Sequence, residues 1–255
     1  MTTPRTPLIA GNWKMNGTRA DACAWAEAAV AAAAGSANDA AVFPSDPWLA
    51  KVAGLLDGSR VDLGGQACAG EAKGAFTGAT SAAMLAEVGC RYVLCGHSER
   101  RHVFGETDDY VAASLAQALE AGLTPVLCVG ETSEERAAGQ TQEVLLRQVD
   151  AGLAKLRSAD DPLVIAYEPV WAIGSGQPAT PAEAAEAHGW IRARVAETDA
   201  ERAASVRILY GGSVNPDNIG GFLGVPDVDG ALIGGAALDP AKFGAMVNAS
   251  PVGAP

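Results

Sequence analysis

The sequence predicts an α/β protein built as a single (β/α)₈ barrel with eight parallel strands. Short apolar runs alternate with helical stretches, and the alternation repeats eight times over 255 residues. This length suits one closed barrel, and no Pro/Gly/Ser-rich linker divides the chain. We therefore expect one domain over residues 1–255, with flexible ends at about 1–6 and 250–255. A doubly wound open sheet is the alternative, disfavoured because no G-x-G-x-x-G follows the first run.

Eight runs are predicted as strands because they are short, apolar and rich in β-branched residues, as in strands that are covered on both faces. In chain order they are Leu8–Trp13, Ala40–Phe43, Val61–Gln66, Arg91–Gly96, Leu123–Val129, Leu163–Tyr167, Val206–Tyr210 and Val228–Ile233. Regular alternation of such strands with helices is the pattern of a parallel barrel.

Four sites between the runs predict helix N-termini, because a capping side chain precedes proline at the first helical position. They are Asp46-Pro47, Thr180-Pro181, Asn215-Pro216 and Asp239-Pro240. After Thr180, Glu183 stands at the capping-box position and strengthens that helix start.

Charge and composition limit the partners and the location. The formal net charge of −12 argues against nucleic acid and against an anionic membrane surface as partners. The Ala-rich stretch 22–34 contains Glu27 and is too short to span a bilayer, and the N-terminus lacks a signal-peptide layout. The five cysteines are odd in number and show no CxxC spacing. We expect free structural thiols in a cytoplasmic protein.

Polar residues and glycines gather at the C-terminal ends of the predicted strands, where the functional face of a parallel barrel lies. These strand-end residues are Asn12, Lys14, His97, Glu99, Glu131, Glu168, Gly211, Gly212, Ser213, Gly234 and Gly235. Their distribution predicts a functional site at that end of the barrel.

The stretch Ala166–Gly176 is the most informative part of the chain. A strand ends at Tyr167, a carboxylate follows at Glu168, and a proline, an aromatic residue and Gly-Ser-Gly come next. A strand-end acid followed by a stiff loop with flexible ends predicts a general base and a lid that excludes water. The predicted lid residues are Pro169, Val170, Trp171, Ala172, Ile173, Gly174, Ser175 and Gly176. The alternative, a glutamate that merely caps a neighbouring helix, is disfavoured by the rest of the chain.

His97 and Lys14 each have an ordinary alternative, since a single histidine or lysine is more often a core or surface residue than a site residue. His97, however, precedes a Ser-Glu-Arg string that could open a helix, where a neutral imidazole is favoured and could donate a hydrogen bond. Lys14 stands near Asn12 at a strand end, which favours a site cation for an anionic substrate. Glu99 stays open between an arginine-paired structural acid and a participant in proton transfer.

Two glycine groups follow neighbouring strands late in the chain. Gly211-Gly212-Ser213 and Gly234-Gly235 stand where barrels often hold phosphate, since glycine lets backbone amides approach an anion closely. One such pair is more often a tight turn, but two pairs on adjacent strands favour a phosphate site.

Four motifs resemble those of the triosephosphate isomerase family. They are Asn12–Gly17, Gly96–Arg101, Ala166–Gly176 and Tyr210–Val214, and they occur in family order across the chain. The resemblance implies a TIM barrel that interconverts dihydroxyacetone phosphate and D-glyceraldehyde 3-phosphate through an enediolate, in glycolysis and gluconeogenesis. It also implies that the enzyme needs no cofactor and no metal. Its partners would be the triose phosphate substrate and a second copy of the chain.

The resemblance also implies roles for individual residues. Glu168 would move a proton between adjacent carbons, and neutral His97 would polarise the carbonyl. Lys14 and Asn12 would complete the catalytic group. The substrate and its phosphate would be held by Asn12, Lys14, Gly174, Ser213, Gly234 and Gly235. The lid would close over the phosphate, latched by Tyr210 and Ser213.

A homodimer is implied by the loop Gly74–Ala79, which is similar to the loop that inserts into the partner subunit in this family. The expected interface residues are Met15, Phe76, Thr77 and Arg100. The chain departs from the family at Ala79, where a carboxylate usually pairs with the arginine of the other subunit. We expect Glu99 or Glu106 of the same chain to pair with Arg100 instead, and the dimer to be weaker.

Two alternatives to an isomerase remain at this point. One is another phosphate-binding barrel enzyme, such as an aldolase or a synthase, which would need a Schiff-base lysine or a metal cluster that the sequence does not suggest. The other is a catalytically silent scaffold, which would be free to lose Lys14, His97 or Glu168. The other two histidines, His102 and His188, are predicted to be non-catalytic.

Overall fold

The computed structural model describes residues 5–173 and 178–252. Its strands are β1 Leu8–Asn12, β2 Asp39–Phe43, β3 Val61–Gly65, β4 Tyr92–Cys95, β5 Thr124–Val129, β6 Val164–Tyr167, β7 Arg207–Tyr210 and β8 Gly230–Ile233. They pair in parallel and in sequence order, and β8 pairs back to β1, which closes the barrel. Each strand begins and ends within two residues of its predicted run, so the predicted (β/α)₈ barrel is confirmed.

Helices fill the connections between the strands. Within the described residues the α-helices are α1 Arg19–Ala33, α2 Leu49–Leu56, α3 Ala82–Val88, α4 Ser98–His102, α5 Asp108–Glu120, α6 Ser133–Ala137, α7 Thr141–Leu153, α8 Pro181–Thr198, α9 Ala200–Ser205, α10 Ile219–Leu223 and α11 Pro240–Val247. The part of the chain that the structure describes also contains three short 3₁₀ helices, Asp46–Trp48, Val170–Ala172 and Gly235–Leu238.

Two of the predicted helix starts are confirmed by their capping contacts. Thr180 and Glu183 form a capping box at the start of α8: the Thr180 hydroxyl accepts from the Glu183 amide at 3.2 Å, and the Glu183 carboxylate accepts from the Thr180 amide at 2.7 Å. The Asp239 carboxylate accepts from two amides of the first turn of α11, at 3.0 and 3.2 Å.

The other two predicted starts are displaced. Asp46 is the first residue of the 3₁₀ helix Asp46–Trp48, and Ser45 is its N-cap, so the predicted cap is wrong by one residue. The Asn215 side chain accepts from two amides of the following turn, at 2.9 and 3.1 Å, but α10 begins only at Ile219. Asn215 therefore caps a turn rather than the helix, although the chemistry of the cap is the expected one.

Strand residues alternate between two buried layers. On β6, Val164 and Ala166 belong to the cluster inside the barrel, whereas Ile165 and Tyr167 pack beneath the helices. Because both layers exclude water, each strand appears in the sequence as a continuous apolar run. The same alternation directs the next residue, Glu168, toward the barrel axis at the C-terminal end of the strand.

The thiols match the expectation from the sequence. All five cysteines are free, and Cys68, Cys90, Cys95 and Cys128 are buried. Burial raises the pKa of the Cys90 thiol to about 12, which keeps it protonated. No helix in residues 5–173 and 178–252 is long and apolar enough to cross a membrane.

The chain is held to the barrel up to the edges of the described ranges. Arg5 Nε donates to Asp229 Oδ1 at 2.6 Å, and the Val252 amide donates to the Gly220 carbonyl at 2.9 Å. The outermost residues of the predicted flexible ends lie outside the described residues, and so do three residues of the predicted lid, Gly174, Ser175 and Gly176.

Candidate active site

The C-terminal ends of the strands surround a cavity of about 350 Å³, here called the main cavity. Side chains that line it include Asn12, Lys14, His97, Glu168, Ile173 and Ser213, and its glycines are Gly211, Gly212, Gly234 and Gly235. The structure therefore brings the predicted catalytic and phosphate-binding residues together, except for Gly174, which lies outside the described residues.

Glu168 follows β6 and is 2% exposed. Its backbone amide extends the barrel hydrogen bonding by donating to the Val129 carbonyl at 2.7 Å. Its Oε2 accepts from the Ser98 amide at 2.8 Å, while Oε1 lies 3.0 Å from His97 Nε2. Since Ser98 is the first residue of α4, one oxygen does cap a helix, as the alternative interpretation of the sequence expected. The other oxygen faces the imidazole in the main cavity.

His97 is the N-cap of α4 and is buried. Its Nδ1 accepts a hydrogen bond from the Glu99 amide at 3.2 Å, so this nitrogen carries no proton. The ring is therefore neutral, and its proton is on Nε2, which faces Glu168 Oε1. A neutral imidazole that directs a donor into a cavity suits the polarisation of a carbonyl oxygen.

Lys14 reaches the main cavity from an unusual backbone conformation. Its φ of +51° lies in the left-handed region that favours glycine. Its side chain passes over Gly234, where an added Cβ would lie 3.1 Å from Lys14 Cε. Its Nζ ends 2.5 Å from Glu99 Oε1. The ammonium group thus stands at the rim of the main cavity, where the ends of β1, β4 and β8 meet.

Glu99 makes a contact that neither interpretation of the sequence included. Its partner is Lys14 rather than an arginine, and its Oε2 lies 3.8 Å from His97 Nδ1. Lys14 and Glu99 are 85 residues apart in the chain and meet only because the barrel closes. The pair therefore has no local signal in the sequence.

The glycines of the main cavity leave room for the charged groups. A Cβ on Gly211 would lie 2.8 Å from Glu168 Cγ, so a side chain there would push against the carboxylate. Gly235 opens the 3₁₀ helix Gly235–Leu238. Backbone amides at the start of such a turn are donors for an anion, as predicted for a phosphate site.

The arrangement combines a carboxylate, a neutral imidazole and an ammonium group around one cavity. Such a set can remove a proton from a carbon next to a carbonyl and stabilise the resulting oxyanion. Among residues 5–173 and 178–252, no group of three or more His, Cys, Asp or Glu side chains is placed to hold a metal ion.

Comparison with known proteins decides the family. A sequence model of triosephosphate isomerase matches residues 7–250. The chain belongs to the triosephosphate isomerase family. The triosephosphate isomerase of Herminiimonas arsenicoxydans is 51% identical over 248 residues, which cover 96% of this chain and 100% of the relative. That of Symbiobacterium thermophilum is 49% identical over 249 residues, which cover 96% of this chain and 97% of the relative.

A solved structure agrees with this assignment. The crystal structure of triosephosphate isomerase from Bartonella henselae matches with a TM-score of 0.87 and 40% sequence identity. The match covers 94% of this chain and 97% of that chain. Triosephosphate isomerases are aldose–ketose isomerases, so this family is one of enzymes of the intramolecular oxidoreductase class.

In this member of the triosephosphate isomerase family, both flanks of the predicted lid contact the region around β7. The first part of the lid, Pro169–Ile173, contains a short 3₁₀ helix. Ser213 Oγ donates to the Ala172 carbonyl at 2.8 Å, and the Ala179 amide donates to the Tyr210 hydroxyl at 3.1 Å. The resemblance assigns Tyr210 and Ser213 to a latch. They contact the segments that end at residue 173 and begin at residue 178.

Glu131 contacts the base of the predicted lid, a role that sequence reasoning missed. It is fully buried, and its Oε1 accepts from Trp171 Nε1 at 2.8 Å and from the Tyr167 hydroxyl at 3.2 Å. Burial raises the pKa of its carboxyl group. Arg136 stacks over the Trp171 ring, 4.0 Å from its centroid. The only signal for Glu131 in the sequence was its position just after β5, and that position did not indicate which residues it would contact.

The expected interface residues lie beside the main cavity. Met15, Phe76 and Thr77 are exposed, and Met15 with an exposed fraction of 94% is the most exposed large apolar residue described. Met15 and Arg100 line a second cavity of about 230 Å³, which also contacts Lys14. Arg100 pairs within the chain with Glu106, at 2.6 Å, which confirms one of its two expected partners.

Proposed function

We propose that the chain interconverts dihydroxyacetone phosphate and D-glyceraldehyde 3-phosphate. The observation that carries this proposal is the placement of Glu168 Oε1 3.0 Å from the proton-bearing Nε2 of His97, in a cavity with Lys14 at its rim. Membership of the triosephosphate isomerase family, with relatives of that name at about 50% identity over nearly the whole chain, supports the same reaction.

Glu168 would act as the base. Its carboxylate would remove a proton from the carbon next to the substrate carbonyl, the C–H electron pair would form the C=C bond of an enediolate, and the carbonyl oxygen would take the negative charge. The Glu168 carboxylic acid would then return a proton to the neighbouring carbon. The hydroxyl proton on the first carbon's oxygen would pass to the former carbonyl oxygen, so a new carbonyl forms at the first carbon and no redox cofactor is consumed. To reach the substrate, the carboxylate would give up its contacts with the Ser98 amide and His97.

His97 and Lys14 would stabilise the charge that develops on the substrate oxygens. The Nε2–H of His97 is held in position by the hydrogen bond at Nδ1, so the donor needs no reorientation during the reaction. The Lys14 ammonium adds positive charge at the rim. Asn12, whose Oδ1 accepts from the Lys14 amide at 2.9 Å, would turn its amide NH₂ group to the substrate.

The substrate phosphate would sit against Ser213, Gly234 and Gly235, with Gly174 joining from the lid. The chain carries a formal net charge of −12, so attraction for a dianionic substrate must come from groups within the cavity. Backbone amides beside glycine can approach phosphate oxygens closely, and Lys14 supplies a full positive charge nearby.

The lid, Pro169–Gly176, would close over the phosphate and exclude water. An enediolate phosphate that is open to solvent would eliminate its phosphate instead of isomerising. The hydrogen bond from Ser213 to the Ala172 carbonyl, and that from Trp171 to Glu131, tie the first part of the lid and support a hinge at its base.

A coupled assay with D-glyceraldehyde 3-phosphate tests the proposal. We expect formation of dihydroxyacetone phosphate at an enzymatic rate, with little release of inorganic phosphate. A catalytically silent scaffold would bind the substrate analogue 2-phosphoglycolate without turnover, and another phosphate-binding barrel enzyme would fail to form this product. A folded preparation that forms no dihydroxyacetone phosphate would contradict the proposal.

We also propose that the enzyme is a homodimer. Several large apolar residues are exposed on the single chain, among them Met15, Phe76, Met84, Val103 and Phe104. Met15 and Phe104 line the second cavity, which the Gly74–Ala79 loop of a second copy would fill. Sedimentation of the purified protein tests this, and a monomer at every accessible concentration would contradict it.

A cytoplasmic location is also proposed. It is supported by the five free thiols, which fit a reducing compartment, and by a substrate that belongs to glycolysis and gluconeogenesis. Cell fractionation with the isomerase assay as the readout would test it, and activity confined to a secreted or membrane fraction would contradict it.

A further inference from the structure

The backbone of Lys14 is held in an unfavourable conformation by three hydrogen bonds, two of which have no part in the proposed reaction. Within residues 5–173 and 178–252, the non-glycine residues with positive φ are Lys14, at +51°, and Asp227, at +67°. The left-handed region is sterically costly for a residue with a Cβ, so it persists only where the surrounding structure enforces it. For Lys14 the enforcing contacts come from the ends of β1, β2 and β3.

Three hydrogen bonds fix the two peptide groups of Lys14. Asn12 Oδ1 accepts from the Lys14 amide at 2.9 Å. The Lys14 carbonyl accepts from Ser45 Oγ at 2.7 Å and from Gln66 Nε2 at 2.8 Å. Gln66 Nε2 also donates to the Phe43 carbonyl at 2.9 Å, so both of its hydrogens are used. Its carboxamide therefore bridges the end of β2 and the loop after β1.

These contacts determine where the Lys14 ammonium stands. The sign of φ sets the direction of the Cα–Cβ bond, so a released Lys14 would point its side chain elsewhere. In the held conformation the side chain passes Gly234 and brings Nζ to Glu99 Oε1. That ion pair is half-exposed and constrains the ammonium weakly by itself. The backbone contacts from Ser45 and Gln66 are the stronger constraint.

We propose that Gln66 and Ser45 are positioning residues that hold Lys14 in its left-handed conformation and so place its ammonium for the anionic groups of the substrate. The inference rests on the proposed function, because it takes the triose phosphate as the ligand. Neither residue occurs among the described residues that line the main cavity, so an effect on substrate would pass through Lys14. Gln66 also lines the second cavity, so the test must separate this effect from dimerisation.

A double-mutant cycle tests the proposal. Gln66→Met removes both donors at nearly constant volume and is made in the wild type and in Lys14→Met. The readouts are kcat, KM and the Kd of 2-phosphoglycolate. With Lys14 present, Gln66→Met raises KM and Kd roughly 10-fold and lowers kcat/KM about 10- to 100-fold. In Lys14→Met the same change alters Kd less than about 2-fold, because the group it positions is gone.

Two further variants make the cycle decisive. Ser45→Ala removes a single donor, and we expect about a 3- to 10-fold rise in Kd that also disappears in Lys14→Met. It carries the test if Gln66→Met does not fold. Gln142→Met makes the same chemical change on the exposed face of α7 and leaves all three values unchanged. Thermal unfolding and sedimentation of every variant separate loss of fold or of dimer from loss of positioning.

The outcomes distinguish the positioning role of Gln66 and Ser45 from the proposed function. Equal losses in the Lys14 and Lys14→Met backgrounds, or no loss from either Gln66→Met or Ser45→Ala, would overturn the positioning role while the wild type still isomerises. A wild type that neither isomerises triose phosphate nor binds 2-phosphoglycolate would overturn the proposed function itself.

Discussion

Two buried carboxylates at opposite ends of the barrel, Asp229 just before β8 and Glu168 just after β6, have very different partners. Asp229 accepts from Arg5 Nε at 2.6 Å, from Arg192 through its terminal nitrogen at 2.5 Å, and from the Ile208 amide at 2.9 Å. These donors neutralise and saturate the Asp229 carboxylate, as stable burial of a charge requires.

Glu168 is also buried, but its hydrogen-bonding partners stabilise its negative charge less. Within the described residues it accepts from the Ser98 amide and faces the neutral His97, and neither partner carries a full positive charge. We therefore infer that exchanging the hydrogen bonds of Glu168 for contacts with a substrate costs less than breaking those of Asp229 would. The Asp229 charge at the N-terminal end therefore stabilises the fold, whereas the Glu168 charge at the C-terminal end is the one we propose to act on a ligand.

The largest expected effect is that of Glu168→Gln on turnover. Because the amide cannot act as a base, we expect kcat to fall by about 10²- to 10⁴-fold with a smaller change in KM. The free energy of unfolding should change by less than about 1 kcal/mol, since Gln can still accept from the Ser98 amide. Steady-state kinetics and urea unfolding measure both quantities. Near-normal turnover in the folded variant would remove Glu168 from the mechanism.

The opposite result is expected for Asp229→Asn. Its new NH₂ group would face a cationic or amide donor, so we expect unfolding to become easier by about 3 kcal/mol while kcat of the folded protein is unchanged. Asp150→Asn is the matched control, because Asp150 forms a half-exposed pair with Arg194 and the change should cost at most about 1 kcal/mol. Equal losses of stability in the two variants would break the comparison between the barrel ends.

His188, which packs near the Asp229 network, should make stability depend on pH. Burial lowers its pKa to about 4 from an unfolded value near 6.5, and its Nδ1 lies 3.0 Å from the Asp227 carbonyl. Between these pH values the unfolded chain binds the proton and the folded chain does not, so stability is present above pH 6.5 and is lost as pH falls toward 4. The free energy of unfolding should fall by about 2–3 kcal/mol over this pH range.

The variant His188→Asn isolates this contribution. It should be less stable than the wild type at pH 7, but the difference in unfolding free energy should narrow as the pH falls to 4. Urea unfolding at several pH values measures both curves, and the carboxylates common to both proteins cancel in the difference. Parallel curves would show that His188 does not titrate as its burial requires.

The smallest expected effect is at the dimer interface beside the site. Ala79→Glu should tighten the proposed dimer by about 1 kcal/mol through Arg100 of the other copy, a small gain because Arg100 already pairs with Glu106. Ala79→Gln controls for size, and the gain should vanish in combination with Arg100→Ala. Sedimentation measures the dissociation constants. A gain that survives the loss of Arg100 would disprove the pairing.

The barrel and the inward direction of Glu168 could be predicted because both follow from local rules. Apolar runs of strand length gave each strand within two residues, and the alternation along β6 directs Glu168 to the axis. The capping box of Thr180 and Glu183 could also be predicted, because these two residues lie only three positions apart in the sequence. The roles of the residues in the main cavity stay predictions until they are measured.

Contacts between distant strand ends could not be predicted in the same way. The Lys14–Glu99 pair and the hydrogen bond from Gln66 to the Lys14 carbonyl join residues that are 85 and 52 positions apart. Such contacts depend on which strands become neighbours and on the left-handed backbone of Lys14, and no local pattern encodes either. The displaced start of α10 has a local cause: Asn215 caps the turn that precedes the helix.

Hydrogen exchange at the substrate carbon tests the central claim most directly. Dihydroxyacetone phosphate is incubated in D₂O with the wild type, Glu168→Gln or Asp229→Asn, and NMR follows the loss of the C–H signal next to the carbonyl. We expect rapid loss with the wild type and with folded Asp229→Asn, and loss slower by about 10²- to 10⁴-fold with Glu168→Gln. Equal exchange rates for the wild type and a folded Glu168→Gln protein would contradict the account.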